Sequence, residues 1–363
     1  MTHPADDAEP ERARALVLRH GWNATAYQIL NPGIAHWYTA SGDAVIGYAR
    51  HGGVYVVAGA PVCDSRRLAG VVAEFEREVR ANGSHVCYFG AGARLEALLR
   101  DDPRRAVVLL GANPEWDPAA WAAIVARRPS LRAQLHRARN KGVVVSEWPA
   151  ARAGGNAELW RCLREWGATR GLPPMGFLVE PRTLQRLDDR RVWVAQRDGR
   201  VVGFLVASPI PERRGWLVEQ LIRGRGAANG TNELLLDAAM RGLAASGARY
   251  VTLGLSPLSR RSGVDDAANP AWLRWVLAWI RAHGRRFYDF DGLDAFKAKF
   301  RPERWEPVYA IADQRRALPR TLFAIAAAFS QGSPVWFVAR AVFGAARTEA
   351  AWALESVRST IRR

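Results

Sequence analysis

The stretch from Trp216 to Leu255, WLVEQLIRGRGAANGTNELLLDAAMRGLAASGARYVTLGL, reads as a strand, a glycine-rich loop, a helix and a second strand. Trp216 to Ile222 and Tyr250 to Leu255 carry the apolar runs expected of strands, and a helix from about Thr231 to Ala245 closes at Gly247. Amides left free at a helix start face a phosphate or an oxyanion, so this order is that of an anion-binding unit. The alternative is a flexible basic loop.

Outward from this unit, the same order recurs. Toward the N-terminus, Arg191–Arg197 and Val201–Ser208 form a hairpin around Asp198-Gly199, after a helix over about Asn156–Arg170 and a short one at Pro181–Leu187. Further back stand the strands Ala35–Thr39, Ala44–Arg50 and Val54–Ala58, and a helix over about Ser65–Ala81 with Leu68, Val71, Val72, Phe75 and Val79 on one side. Strand His85–Phe89, helix Arg94–Arg100 and strand Ala106–Leu110 complete this unit, and Val143–Trp148 opens the second. Two α/β units in the same order suggest a duplicated domain, although no residue-level repeat is visible.

At 363 residues, with 49% hydrophobic and 24% charged residues and 15 Trp, the chain is ordered, globular and long enough for two domains. The formal net charge of +17 points to an anionic partner, either nucleic acid or an anionic membrane surface. Cys63, Cys87 and Cys162 suggest neither disulfides nor zinc, and no metal-ligand spacing occurs. The opening MTHPADDAEPERARAL has no apolar core of signal-peptide type, so no export is expected.

Three segments carry candidate chemistry. Pro118–Lys141 reads as a helix pair interrupted at Pro129, with Ser130 as N-cap of LRAQLHRARNK; Arg132, His136 and Arg139, with Arg137 and Lys141 nearby, make either a solvated face or a phosphate footprint. Phe287–Ala310, FYDFDGLDAFKAKFRPERWEPVYA, holds Lys297 and Lys299, two of the chain's three lysines, in an aromatic frame that includes Phe296, Phe300, Trp305 and Tyr309. It is read as one wall of a site for an anion or a carbonyl. Trp272–His283 is expected to be an amphipathic helix, and Thr321–Ala339 is an uncharged run of nineteen residues whose Ser-Gln-Gly-Ser-Pro centre argues against a membrane span. Two short apolar helices flanked by arginines are expected instead, either packed on the second domain or lying at an anionic membrane interface.

Arg223-Gly224-Arg225-Gly226-Ala227-Ala228 fits the R-x-x-G-x-[GA] loop with which GNAT acyltransferases hold the pyrophosphate of coenzyme A. LRAQLHRARNKGVVV, EQLIRGRGAANGTNELLLDA, YVTLGLSPLS and LDAFKAKFRPERWEPVYAI, in this order, together with VVAGAPVCD, resemble the catalytic domain of bacterial aminoacyl-phosphatidylglycerol synthases over about residues 20 to 312. The resemblance implies two tandem GNAT-like domains with mixed, largely antiparallel sheets. It also implies transfer of an amino acid, lysine or alanine, from aminoacyl-tRNA to the glycerol hydroxyl of phosphatidylglycerol, with no cofactor.

By that resemblance Glu219, Lys299 and Arg301 are the candidate catalytic residues, and Arg223, Asn229, Gly230, Glu233, Ser256, Lys297, Trp305 and Tyr309 line the substrates. Arg132, His136, Arg137, Arg139 and Lys141 are assigned to tRNA or phosphate. Glu219 stands for the family's Asp and Ile222 for one of its paired arginines, and the family's flippase-type membrane domain is expected to be missing. The expected layout is a disordered arm (1–14), an N-terminal GNAT-like domain (15–117), basic linking helices (118–142), a catalytic domain (143–312) and C-terminal helices (313–363). A peripheral place on the inner face of the cytoplasmic membrane is expected. A coenzyme A-dependent N-acyltransferase and a non-catalytic tRNA- or lipid-binding module are the alternatives.

Overall fold

A computed structural model of the chain describes residues 4–169, 175–264 and 289–330. Its strands are β1 (Ala35–Tyr38), β2 (Val45–His51), β3 (Val54–Ala58), β4 (His85–Ala91), β5 (Ala106–Trp116), β6 (Val144–Trp148), β7 (Arg191–Arg197), β8 (Arg200–Ile210), β9 (Gly215–Arg223), β10 (Tyr250–Thr252), β11 (Ser256–Pro257) and β12 (Arg304–Ala312). They form one 12-stranded sheet in the order β1-β2-β3-β4-β12-β5-β10-β9-β8-β7-β6, with β11 paired to β5. Among the described residues only β3–β4 and β9–β10 are parallel pairs. The class is thus α/β with one largely antiparallel sheet, whose first half is β1–β5 with β11 and β12 and whose second half is β6–β10.

The helices are α1 (Pro4–His20), α2 (Leu68–Ala81), α3 (Ala93–Leu99), α4 (Trp121–Ala126), α5 (Pro129–Asn140), α6 (Ala150–Ala153), α7 (Ala157–Gly167), α8 (Thr231–Ala245), α9 (Phe290–Ala298) and α10 (Leu318–Ser330). The apolar stripe expected of α2 is buried along its length, because residues spaced three and four apart share one helix face. One core lies between α8, α4, α5 and the sheet, through Leu235, Leu236, Leu243, Trp121, Leu131 and Leu135. Another covers one face of the first half under α1 and α10, and α2 and α3 cover the other.

Several expected boundaries are corrected. Residues 4–14 are not a disordered arm; they belong to α1, whose Ala13 and Val17 are buried. Arg304–Ala312, expected in the catalytic domain, form β12, which lies between β4 and β5 and closes the first half's sheet. Residues 118–142 are core-forming helices rather than linkers. Arg128, not Ser130, occupies the N-cap position of α5, without a side-chain capping bond, and Pro129 stands in the first turn, where a missing N–H costs nothing. α10 packs mainly on β2 and β3 of the first half, and its last turn also reaches the second, where the Gly176 amide donates to the Phe329 carbonyl at 2.9 Å and the Phe177 and Phe329 rings lie 5.4 Å apart. Over Pro181–Leu187 only a 3₁₀ turn, Thr183–Gln185, forms, and β5 runs to Trp116 instead of ending at Leu110. The expected helix at Trp272–His283, residues 331–339 and most of the loop after Arg170 lie outside the described residues.

Candidate active site

The parallel strands β9 and β10 are paired only over Gly215–Leu217 and Tyr250–Thr252, so β9 runs on to Arg223 without its neighbour. Two residues beyond Leu217 on β9, the pairing with β8 skips Glu219: Val218 faces Ala207 and Gln220 faces Val206. Glu219 is the extra residue of a β-bulge, a device that bends a strand and re-aims a side chain. The glycine-rich loop follows, and α8 starts at Thr231 behind Gly230, whose φ of 94° places it in the left-handed region. A Cβ there would stand 2.2 Å from the Gln134 carbonyl oxygen of α5. Gly230 therefore lets α5 close on the α8 start.

The loop's amides are partly committed. Glu165 of α7 accepts the Arg225 amide at 2.9 Å, and that hydrogen bond, with the Arg161 guanidinium, holds its carboxyl below the usual range. The Thr231 amide is bonded to the Ala228 carbonyl at 3.2 Å. Arg223 and Asn229 are exposed at the loop's two ends.

Lys299 extends to the same helix start. Its Nζ donates to Glu233 Oε1 at 2.6 Å and lies 4.0 Å from the Phe296 ring centre and 4.9 Å from that of Phe300. Two rings of the aromatic frame read from the sequence, Phe296 and Phe300, thus lie against this ammonium, while Lys299 keeps 38% of its side chain in solvent. Arg301 is exposed and has φ 53°. Holding a residue with a Cβ in that region costs about 1–2 kcal/mol, and such outliers gather at functional sites.

Lys297 goes elsewhere. It is buried, and its Nζ donates to the Gly254 and Leu255 carbonyls at 2.8 and 2.9 Å. Burial, only partly offset by Asp294, pushes its pKa down to about 7. Ser256 follows those carbonyls, buried, with an Oγ that has no hydrogen-bond partner. Trp305 is half-buried beneath Arg261, and Tyr309 is packed into the core under α2 and α3. The structure therefore gathers Lys299, Glu233, Gly230 and Asn229 at one helix start, and puts Lys297 and Tyr309 into the interior.

The end of β5 clamps the turn that carries Lys299 and Arg301. Trp116 Nε1 donates to the Phe300 carbonyl at 3.0 Å, the Glu303 amide to the Glu115 carbonyl at 2.9 Å, and the Asp117 amide to Glu303 Oε1 at 3.2 Å. Arg304 donates twice to Glu115 Oε2, at 3.0 and 2.8 Å. Arg213 grips Glu306 with two bonds of 2.9 and 2.7 Å. Burial, then the neighbouring Glu306 carboxylate, pushes Glu115 up to about 7. Burial works to raise Glu306 too, but Arg213 outweighs it and holds that carboxyl low. None of Glu115, Arg213, Arg304 or Glu306 was singled out from the sequence, where nothing marks them apart from other charged residues.

Glu219 belongs to a different network. Its carboxylate accepts from Gln28 Nε2 at 2.8 Å and from Arg190 Nε at 3.1 Å, and both side chains of the Arg190–Glu219 pair are almost wholly buried. Arg190 stacks on the Tyr27 ring, Tyr27 donates to Asp189 at 2.9 Å, and Asp189 takes two bonds from Arg14 of α1. On α5, Arg132 turns to the α4 carbonyls and Arg139 pairs with Asp237 at 3.2 Å, leaving His136, Arg137 and Lys141 exposed. Among the described residues no group of three or more His, Cys, Asp or Glu is placed to hold a metal ion.

A family model described as phosphatidylglycerol lysyltransferase, C-terminal, matches residues 14–312, a span that contains every residue of this site. The chain belongs to the phosphatidylglycerol lysyltransferase C-terminal family. Within it, the chain is 25% identical over 324 residues to the phosphatidylglycerol lysyltransferase of Bacillus subtilis (strain 168), covering 88% of this chain and 37% of that protein. The chain thus spans little more than a third of that relative's length. Two solved structures share the fold: the C-terminal domain of a putative lysylphosphatidylglycerol synthetase from Agrobacterium fabrum has TM-score 0.75 and 23% identity, covering 90% of this chain and 98% of that one. L-PGS from Bacillus licheniformis has TM-score 0.73 and 22% identity, with coverages of 88% and 95%.

Proposed function

We propose that this lysyltransferase-family domain moves an aminoacyl group, lysyl or alanyl, from aminoacyl-tRNA to the glycerol hydroxyl of phosphatidylglycerol at the inner membrane surface. The observation that carries the reading is the Lys299–Glu233 pair at the α8 start, 2.6 Å apart and framed by Phe296 and Phe300. The lipid hydroxyl oxygen attacks the ester carbonyl carbon of the donor, the bond from that carbon to the ribose oxygen breaks, and the hydroxyl proton ends on the ribose oxygen. Such a transfer needs alignment and stabilisation of the developing oxyanion more than a nucleophile of the protein's own.

Lys299 and Arg301 supply positive charge for the lipid phosphate or that oxyanion, and Arg223 and Asn229 flank the donor's terminus. Glu219, committed to Arg190 and Gln28, shapes the bulge, and the donor's own amine relays the proton. His136, Arg137 and Lys141 present a basic face to tRNA. Lys299→Ala should remove transfer of labelled amino acid to lipid while leaving the urea midpoint within error of the parent; wild-type transfer by this variant would refute the assignment.

The coenzyme A-dependent reading rests on the Arg223–Ala228 loop. A carboxylate held on the Arg225 amide stands against a diphosphate at that place. Calorimetric titration with acetyl-CoA separates the two readings, since tight binding is expected only of the second.

A further inference from the structure

α10 has two faces. Leu318, Thr321, Ala324, Ala327 and Ala328 are buried against the first half, while Pro319, Arg320, Phe323 and Ala326 point to solvent, continued by exposed Arg315 and Arg316 in the 3₁₀ turn Arg315–Ala317 just before the helix. Phe323 is 53% exposed, an uncommon place for a large apolar ring, and it stands one turn beyond the exposed arginines. The basic side of the patch is fixed in place. Arg320 Nε donates to the Gly52 carbonyl at 2.5 Å and Arg315 Nε to the Arg105 carbonyl at 2.9 Å, both across to the first half's sheet. The acid nearest in the chain, Asp313, is turned inward, with 8% of its side chain exposed and His85 Nδ1 3.5 Å away. An outward stripe with guanidinium groups at its start and an apolar ring one turn on is the pattern of a helix that lies in an interface, its ring below the headgroups and its cations among anionic phosphates.

We infer that the outward face of α10 and of the 3₁₀ turn before it, with Arg320 and Phe323 on the helix and Arg315 and Arg316 on the turn, is the surface by which this protein sits on an anionic lipid bilayer. The inference rests on the proposed lipid acceptor, and it names the face that meets the bilayer. No helix among the described residues is long and apolar enough to cross a membrane, so contact through this helix is made by lying on the surface. Each arginine near an anionic surface is worth about 1 kcal/mol, or about a fivefold gain in partition. Reversing two of them and removing the ring should lower partition by more than about twentyfold.

The test is co-sedimentation of the full chain with vesicles of phosphatidylglycerol and phosphatidylcholine, and with phosphatidylcholine alone, in the absence of any donor. The wild-type chain should partition to the anionic vesicles only. The variant R316E/R320E/F323D should lose that partition, R316Q/R320Q should lose part of it, and R200E/R249E, which changes two exposed arginines of the other half, should stay within about threefold of the wild type. Partition of the triple variant within threefold of the wild type, or an equal loss in R200E/R249E, would overturn the inference. So would a triple variant that keeps its vesicles and loses binding of uncharged tRNA, because the patch would then belong to nucleic acid. Because partition is read without donor, it judges this surface even where transfer itself fails.

Discussion

Replacing Lys297 by methionine isolates the energetics of one buried amine. In the folded chain its pKa is pushed down to about 7 from an ordinary 10.5, first by burial. That direction is the reverse of a lysine that gains an acidic partner. Between about pH 7 and 10.5 the unfolded chain holds the proton and the folded chain has lost it, so this group makes stability rise with pH across that window. A gap of about 3.5 units corresponds to about 5 kcal/mol over the whole window, of which about 2 kcal/mol accrues between pH 7 and pH 9. Lys297→Met has no such proton to release. It also leaves the Gly254 and Leu255 carbonyls without their donor, at about 1 kcal/mol each. Urea unfolding at both pH values should therefore show the stability of the parent, minus that of the variant, growing by about 2 kcal/mol from pH 7 to pH 9. A difference that does not change with pH would refute the depressed, buried amine.

Arg301→Gly should raise the melting temperature, since a glycine at φ 53° relieves about 1 kcal/mol of backbone strain, while transfer falls with the loss of the guanidinium. Unchanged transfer would remove Arg301 from the site. Glu115 titrates at about 7 and faces Arg304, Glu306, Arg213 and Tyr250, so on losing its proton it gains charge against Arg304 and tightens the 299–304 turn. The transfer rate should accordingly climb through neutral pH, and Glu115→Gln should flatten that limb and raise KM; a variant with the parent's pH profile would show that the turn is held without this carboxyl.

What the sequence made legible was local. The run of apolar residues, the glycine-rich loop and the helix from Thr231 gave β9 and α8, and the spacing of Leu68, Val71, Phe75 and Val79 gave α2. Strand order was not legible: nothing in RWEPVYAIA says that β12 enters between β4 and β5, because that choice is made by which edges meet in the folded core. The same holds for the partners of Glu219, since Gln28 and Arg190 lie far from it in the chain and a bulge has no signature in a single sequence. Lys297 and Lys299 were read together as one wall, yet two residues at a helix end are turned about 200° apart, so one must face in when the other faces out. That argument was available from the sequence, and the structure resolves it with Lys297 inside and Lys299 at the surface. Of the aromatic frame, Phe296 and Phe300 do meet Lys299, because they are helix neighbours within the range over which spacing controls contact, whereas Trp305 and Tyr309 lie beyond that range and turn elsewhere.

The central claim is aminoacyl transfer to lipid, and its most direct measurement is the passage of radiolabel from a mixed pool of charged tRNAs into chloroform-extractable lipid, with phosphatidylglycerol liposomes present. The account predicts label in the lipid phase that disappears after ribonuclease treatment of the donor, and lysine or alanine on hydrolysis of the product. Lipid that stays unlabelled with every charged tRNA in the pool would contradict it.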